Sequence, residues 1–317
     1  MNNRIMLAFA GSLGALAMLS GAAAEAQAGS FRERIAQRFA QRAAAADAKA
    51  PASAAGQTIA YGSDAAQVLD FWPATSTARG KTAAPLIVFV HGGGWQRGSK
   101  DNATGRWKPA HYPAEGYALA SIDYRLVPQA TVEQQAADVA AALKALINRA
   151  DSLGIDRHRI VLMGHSAGAH LVALVGTDEQ YLRGAGLTFA DLTGVIPIDG
   201  AAYDVAAQMR DGPRIMQQTY GQAFGTDSAR QRALSPTFHA GAPNAAQFLL
   251  LHVQRPDGMN QADELAQALR AGGTRVEVGS FPGTGLMGHM EINRRLGDPD
   301  YAPTRTVDDW LKRAFGK

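Results

Sequence analysis

Arg159-Ile160-Val161-Leu162-Met163-Gly164-His165-Ser166-Ala167-Gly168 is the stretch whose reading decides the fold. An apolar, β-branched run predicts a buried strand over 159–163, and residues 167–175 read as a helix. Between them stands Gly-x-Ser-x-Gly. Glycines on both sides of Ser166 allow a sharp strand-to-helix turn that presents the hydroxyl in open space, above a helix N-terminus. Such a serine reacts only if the chain also supplies a base, a group to orient the base, and donors for an oxyanion.

Strand candidates continue on both sides of this stretch. Residues 58–61 and 67–72 alternate and are joined by a Gly-Ser-Asp turn, while 85–90 (Pro-Leu-Ile-Val-Phe-Val) is continuously apolar, as in a strand buried on both faces. Residues 118–124, 194–198, 247–253 and 275–281 read as further strands. Helical spacing marks 131–150, 261–271 (stopped by Gly272-Gly273) and 304–315. Strands alternating with helices imply an α/β fold with a mostly parallel central sheet and helices on both faces.

The oxyanion donors are the easiest to find. His91-Gly92-Gly93-Gly94-Trp95 follows the buried strand, and three glycines expose backbone N–H groups with no Cβ in the way. Gly93 and Gly94, with the N–H of Ala167, form the expected oxyanion hole; each such donor is worth about 3 kcal/mol in a transition state. Eight histidines compete for the role of base. His91 and His165 belong to the two motifs and read as structural hydrogen-bonders, His158 precedes a strand, and His252 lies inside one. His289 ends the glycine-rich run Gly283-Thr284-Gly285-Leu286-Met287-Gly288, read as a loop after the last strand, and is the expected base. For the acid, Asp257 follows the penultimate strand in Gln254-Arg255-Pro256-Asp257. Its competitor is Asp199, which ends the preceding strand; Asp257 is the expectation. Trp95 is expected to border the substrate pocket. Met209 and Met216, in the 203–241 segment, are expected to line it and suit apolar acyl groups.

Composition narrows the alternatives. The 317 residues, 46% hydrophobic and 19% charged, suit one large globular α/β domain. A net charge of +3 and no basic cluster interleaved with aromatics argue against nucleic acid as a partner. Cysteine is absent, which excludes disulfides, thiolate metal sites and a cysteine nucleophile. Residues 1–28 read as an export signal, with Arg4, an apolar core over 5–19 and Ala26-Gln27-Ala28 as cleavage site. The expectation is therefore a periplasmic or secreted enzyme with no stable membrane insertion after cleavage. Residues 29–57 form an Ala/Arg-rich arm and linker, with Phe31, Ile35 and Phe39 at helical spacing, and 58–317 the catalytic domain.

The order Ser166, Asp257, His289 matches only one of the three unrelated chain orders known for this constellation. The chain resembles the α/β-hydrolase superfamily, specifically hormone-sensitive-lipase-like carboxylesterases and their feruloyl-esterase-like and arylformamidase-like relatives. The likeness rests on His91–Trp95, Asp123-Tyr124-Arg125-Leu126, Gly164–His170, Asp257 and His289. It implies a serine carboxyl-ester hydrolase acting through an acyl-enzyme, on a small-molecule ester, with no metal or organic cofactor. Where that family often carries His-Gly-x-x-Asp, this chain reads His252-Val253-Gln254-Arg255-Pro256-Asp257. An arylformamidase- or amidase-type hydrolase, and a non-catalytic binding protein on the same scaffold, are the alternatives.

Overall fold

The computed structural model describes residues 50, 52, 55–75, 83–241 and 243–316. The expected export signal and most of the expected arm lie outside these residues. Eight strands form one sheet: β1 Gln57–Ala60, β2 Val68–Trp72, β3 Ala84–Val90, β4 Ala118–Ile122, β5 Ile155–His165, β6 Gly194–Ile198, β7 Gln247–Val253 and β8 Arg275–Phe281. Their lateral order is β1-β2-β4-β3-β5-β6-β7-β8. Only β1 with β2 and β2 with β4 are antiparallel; every later pairing is parallel. The carboxyl ends of β3, β5, β6, β7 and β8 therefore share one edge, where sites in such sheets gather.

Among the described residues, the longer helices are α1 Trp107–Ala114, α2 Val132–Asn148, α3 Ala167–Thr177, α4 Val205–Asp211, α5 Gln217–Phe224, α6 Pro256–Ala271, α7 Gly285–Arg294 and α8 Ala302–Ala314. The period of two in β3 separates two cores. Leu86, Val88 and Val90 pack with Val139, Leu143, Leu171 and Leu265 of α2, α3 and α6. Ile87 and Phe89 pack on the other face with Tyr112 of α1 and Val307, Trp310 and Leu311 of α8. Burial on both faces is why β3, β4 and β6 are apolar without alternation.

Most expected elements sit where the sequence places them, and three differences are informative. β5 begins at Ile155 rather than 159, because Ala84 pairs with Ile155 across an irregularity that precedes the Leu86–Ile160 pair. The polar Asp156-Arg157-His158 run, which read as pre-strand, is simply its solvent-facing end. The Gly283–His289 run is a loop only as far as Thr284; Gly285 opens α7, so His289 is a helical residue. A Cβ on Gly288 would stand 2.5 Å from the backbone carbon of Gly283, so these two glycines let the helix close directly onto its entry loop. The third is the segment after β6, which carries α4 and α5. No helix among the described residues is long and apolar enough to cross a membrane.

Candidate active site

Ser166 is the N-cap of α3 with φ 57° and ψ −118°, a conformation that a non-glycine residue adopts only under compulsion. Its N–H donates to the carbonyl of Ile198 (3.1 Å), and its carbonyl accepts from His170 N (3.1 Å). The flanking glycines are sterically obligatory. A Cβ on Gly168 would sit 2.2 Å from the Val90 carbonyl oxygen, and one on Gly164 2.3 Å from that of Gly168. The elbow is thus clamped between β3 and β6, with the strain confined to the serine.

The loop after β3 lies against this elbow: a Cβ on Gly92 would come within 2.9 Å of the Ser166 Cβ. Gly93 and Gly94 both have positive φ, at 128° and 62°. The carbonyl of Gly93 is taken by Arg97 N (3.1 Å). The N–H groups of Gly93, Gly94 and Ala167 donate to no backbone carbonyl among the described residues. Above Gly94 the α5 segment closes in; a Cβ there would lie 2.9 Å from Thr219 Cγ2 and 3.6 Å from the Met216 methyl. His91 stacks on Tyr124 at 4.3 Å, and the Tyr124 hydroxyl donates to the His91 carbonyl (2.9 Å), fixing the loop's root. Burial pushes the His91 imidazole down to about 4, against the raising effect of its bond to the Gly92 carbonyl, so the ring is neutral at ordinary pH.

The imidazole of His289 donates from Nδ1 to Oδ2 of Asp199 at 2.6 Å. Asp199 follows β6 and is wholly buried. Its carboxylate collects three donors: Val253 N on Oδ1 (3.0 Å), and Arg255 Nε (2.9 Å) and His289 Nδ1 on Oδ2. Burial alone would raise its pKa; the His289 bond and the Arg255 charge outweigh this and hold it down to about 2. Asp199 is therefore an anion at any working pH.

His289 also touches the residue beside the serine. The rings of His165 and His289 lie 4.5 Å apart, and His165 Nε2 donates to the His289 carbonyl (2.8 Å). The same carbonyl contact fixes the His165 tautomer, and burial, followed by the nearby His289 charge, keeps its pKa well below the usual range. At the far end of α7, the buried Lys108 ammonium donates to the Asn293 carbonyl (2.6 Å) and side-chain oxygen (2.9 Å). The helix that carries the imidazole is thus held at its middle and at its far end. Among the described residues, no three His, Cys, Asp or Glu side chains are grouped to hold a metal ion.

Comparison with known proteins places this geometry. The BD-FAE family model matches residues 73–211. In structure the chain is similar to esterase B from Lactobacillus rhamnosis, with TM-score 0.67, 21% identity, and coverage of 92% of this chain and 97% of that one. The chain has the α/β-hydrolase fold. By sequence the chain is 36% identical to esterase LipC of Mycobacterium tuberculosis over 126 residues, 39% of this chain and 30% of LipC. It is 33% identical to the isoprenylcysteine alpha-carbonyl methylesterase ICME of Arabidopsis thaliana over 135 residues, 42% of this chain and 30% of ICME. It thus spans under a third of the length of these curated relatives. An ethyl acetate hydrolase from Pseudomonas putida matches at 25% identity over 63% of this chain and 65% of its own length.

Within this fold, Ser166, Gly93, Gly94, Ala167 and His289 lie at one sheet edge, with the Gly92 backbone against Ser166 and the His289 ring against His165. Asp257 does not meet His289. It lies in the first turn of α6, where its carboxylate accepts from Arg255 Nη1 (3.2 Å) and Gln208 Nε2 (3.1 Å). The aspartate at His289 is Asp199, and lateral strand order explains it. β6 adjoins β5 directly, whereas β7 stands one strand spacing, about 4.8 Å, further from the serine. Trp95 is likewise not at a pocket surface. It is 3% exposed, packed edge-on against Phe224 at 4.7 Å, with Nε1 donating to His170 Nδ1 (3.3 Å). Met216 does face the glycine loop after β3, while Met209 is half-buried against the core. The contact of His165 with His289 was not foreseen, because nothing local in Gly-His-Ser-Ala-Gly reveals what its second residue touches.

Proposed function

We propose that this α/β-hydrolase cleaves small carboxylic esters through an acyl-enzyme on Ser166. One observation carries the reading: the short Nδ1–Oδ2 contact of His289 with a buried, ionised Asp199, beside a strained serine elbow. That contact orients the imidazole so that Nε2 is the free nitrogen, the one able to take a proton. Names of the relatives, esterases and a methylesterase, support ester cleavage as the reaction class.

In this reading His289 Nε2 removes the Ser166 proton as Oγ attacks the carbonyl carbon. The carbonyl oxygen becomes an anion held by the N–H groups of Gly93, Gly94 and Ala167. His289 then passes the proton to the leaving alcohol, giving the acyl-serine. A water molecule, deprotonated by the same nitrogen, releases the acid and restores the serine. Asp199 keeps the imidazole tautomer and stabilises its cation in each half-reaction. The Met216 methyl and Thr219 Cγ2 over Gly94 give the acyl group an apolar neighbour. Residues 1–28 are read as an export signal, which would place the enzyme outside the cytoplasm.

Hydrolysis of p-nitrophenyl esters of several acyl lengths tests the proposal, with S166A as the control. The expected outcome is turnover by the wild type and none above background by the variant. A serine-directed phosphonate should label Ser166 and no other residue, as mapped by mass spectrometry. A wild type inactive on every acyl length, or a label elsewhere, overturns the reading.

A further inference from the structure

One guanidinium ties the two competing aspartates together. Arg255 donates from Nε to Asp199 Oδ2 (2.9 Å) and from Nη2 to the Asp199 carbonyl (3.3 Å). Its Nη1 reaches both oxygens of Asp257, at 3.3 and 3.2 Å. The Arg255 side chain is only 13% exposed, and Asp199 is not exposed at all. A carboxylate so far from water is retained as an anion only when paired and hydrogen-bonded. The backbone makes room for the pairing: a Cβ on Gly258 would stand 2.9 Å from Arg255 Nη2 and 3.5 Å from Asp199 Oδ1.

The geometry has a directional consequence. Oδ1 of Asp199 is occupied by Val253 N, so Arg255 and His289 share Oδ2. With the guanidinium on one side of Oδ2, the remaining lone pair is aimed at His289 Nδ1. Arg255 is itself steered from the other side. Asp257 accepts from Gln208 Nε2, which also approaches the Tyr220 hydroxyl (3.0 Å), and Tyr220 packs against Trp95 of the oxyanion loop at 6.2 Å.

We propose that Arg255 is a positioning residue for the acid of the triad, fixing the plane of the Asp199 carboxylate toward His289, with its own fork held in place by Asp257. The inference rests on the reading of Ser166, His289 and Asp199 as a triad. The loop after β7 then supplies the cation that holds the acid rather than the acid itself, and Asp257 serves as the far anchor of that cation.

Two measurements on the full-length chain separate this inference from the triad reading. The first is steady-state hydrolysis of p-nitrophenyl acetate by wild type, R255M, D199N and the double variant. R255M should lose about tenfold to a hundredfold in kcat, the size of one charge-assisted hydrogen bond, with KM nearly unchanged. On the D199N background the same change should alter kcat by less than about threefold, because the group it positions is gone. The second needs no turnover: the low-field proton resonance of His289 Nδ1–H, identified by its loss in D199N, should move upfield or vanish in R255M. If wild type is inactive, the triad reading fails on its own and the resonance alone judges Arg255. Should R255M not fold, R255K decides. Lysine keeps the charge but not the planar fork, so kcat should be intermediate at unchanged KM and the resonance shifted. Wild-type kcat with an unchanged resonance in the folded variant overturns the proposal. So does an equal loss in kcat on the wild-type and D199N backgrounds.

Discussion

The Nδ1 atom of His289 lies 2.6 Å from Oδ2 of Asp199, and Asp257 reaches neither nitrogen of that ring through any hydrogen bond among the described residues. The two carboxylates therefore have separable roles. D199N should lower kcat by about 10⁴, the loss seen when a triad acid is made neutral, because the imidazole then prefers the wrong tautomer. D257N should keep activity within about tenfold of wild type, since Arg255 retains its bond to Asp199. Parallel kinetics on one ester decide this; comparable losses in both variants would contradict the assignment.

Gly94 should tolerate no side chain. Its φ of 62° disfavours an L residue, and a Cβ would meet Thr219 Cγ2 at 2.9 Å. G94A should lose about 10² or more in kcat/KM through displacement of an oxyanion donor, and about 1 kcal/mol of stability through the left-handed backbone. Normal kinetics in this variant would remove Gly94 from the oxyanion hole.

Gly168 is a packing requirement rather than a catalytic one. A Cβ at 2.2 Å from the Val90 oxygen and 2.5 Å from that of His91 has only backbone to push against. G168A should destabilise the fold by about 3 kcal/mol or more, read from urea unfolding, as expected for overpacking at a site that cannot relax. A stability loss under about 1 kcal/mol would show that β3 can move away from the elbow.

Acid sensitivity should come from buried histidines. Burial lowers both His91 and His170 from 6.5 to about 4, each against the raising effect of a backbone bond. Folded, they stay neutral through a range in which the unfolded chain binds protons. Their contribution to stability is thus complete above pH 6.5 and lost as the pH falls from 6.5 toward 4, with a slope of up to about 1.4 kcal/mol per pH unit for each. Asp199 adds a second phase: depressed from 3.8 to about 2 by His289 and Arg255 against its burial, it loses its contribution as pH falls through that lower window. Urea unfolding at a series of pH values measures the slope. H170Q should remove about one proton from it between pH 6.5 and 4, and an unchanged slope would show that His170 is not a source.

What the amino-acid string determined by itself is local: burial pattern and backbone sterics. The unbroken apolar runs of β3 and β6 report burial on both faces, and the spacing of α2 reports one buried side. Gly164 and Gly168 report an elbow, because a strained serine needs neighbours without side chains. His289 was legible by elimination, though a glycine-rich run read as loop where Gly283 and Gly288 in fact meet to start a helix. The tertiary structure decided which aspartate reaches the imidazole, that Trp95 is enclosed by His170, Tyr220 and Phe224, and that His165 leans on His289. Those outcomes depend on the lateral order of strands and on the packing of α7 against β7, which brings together residues 90 positions apart. Asp199 directly follows one apolar strand and Asp257 stands a short polar stretch beyond another, and nothing local says which of the two reaches the imidazole. Only the position of β6 beside β5 gives one of them the histidine.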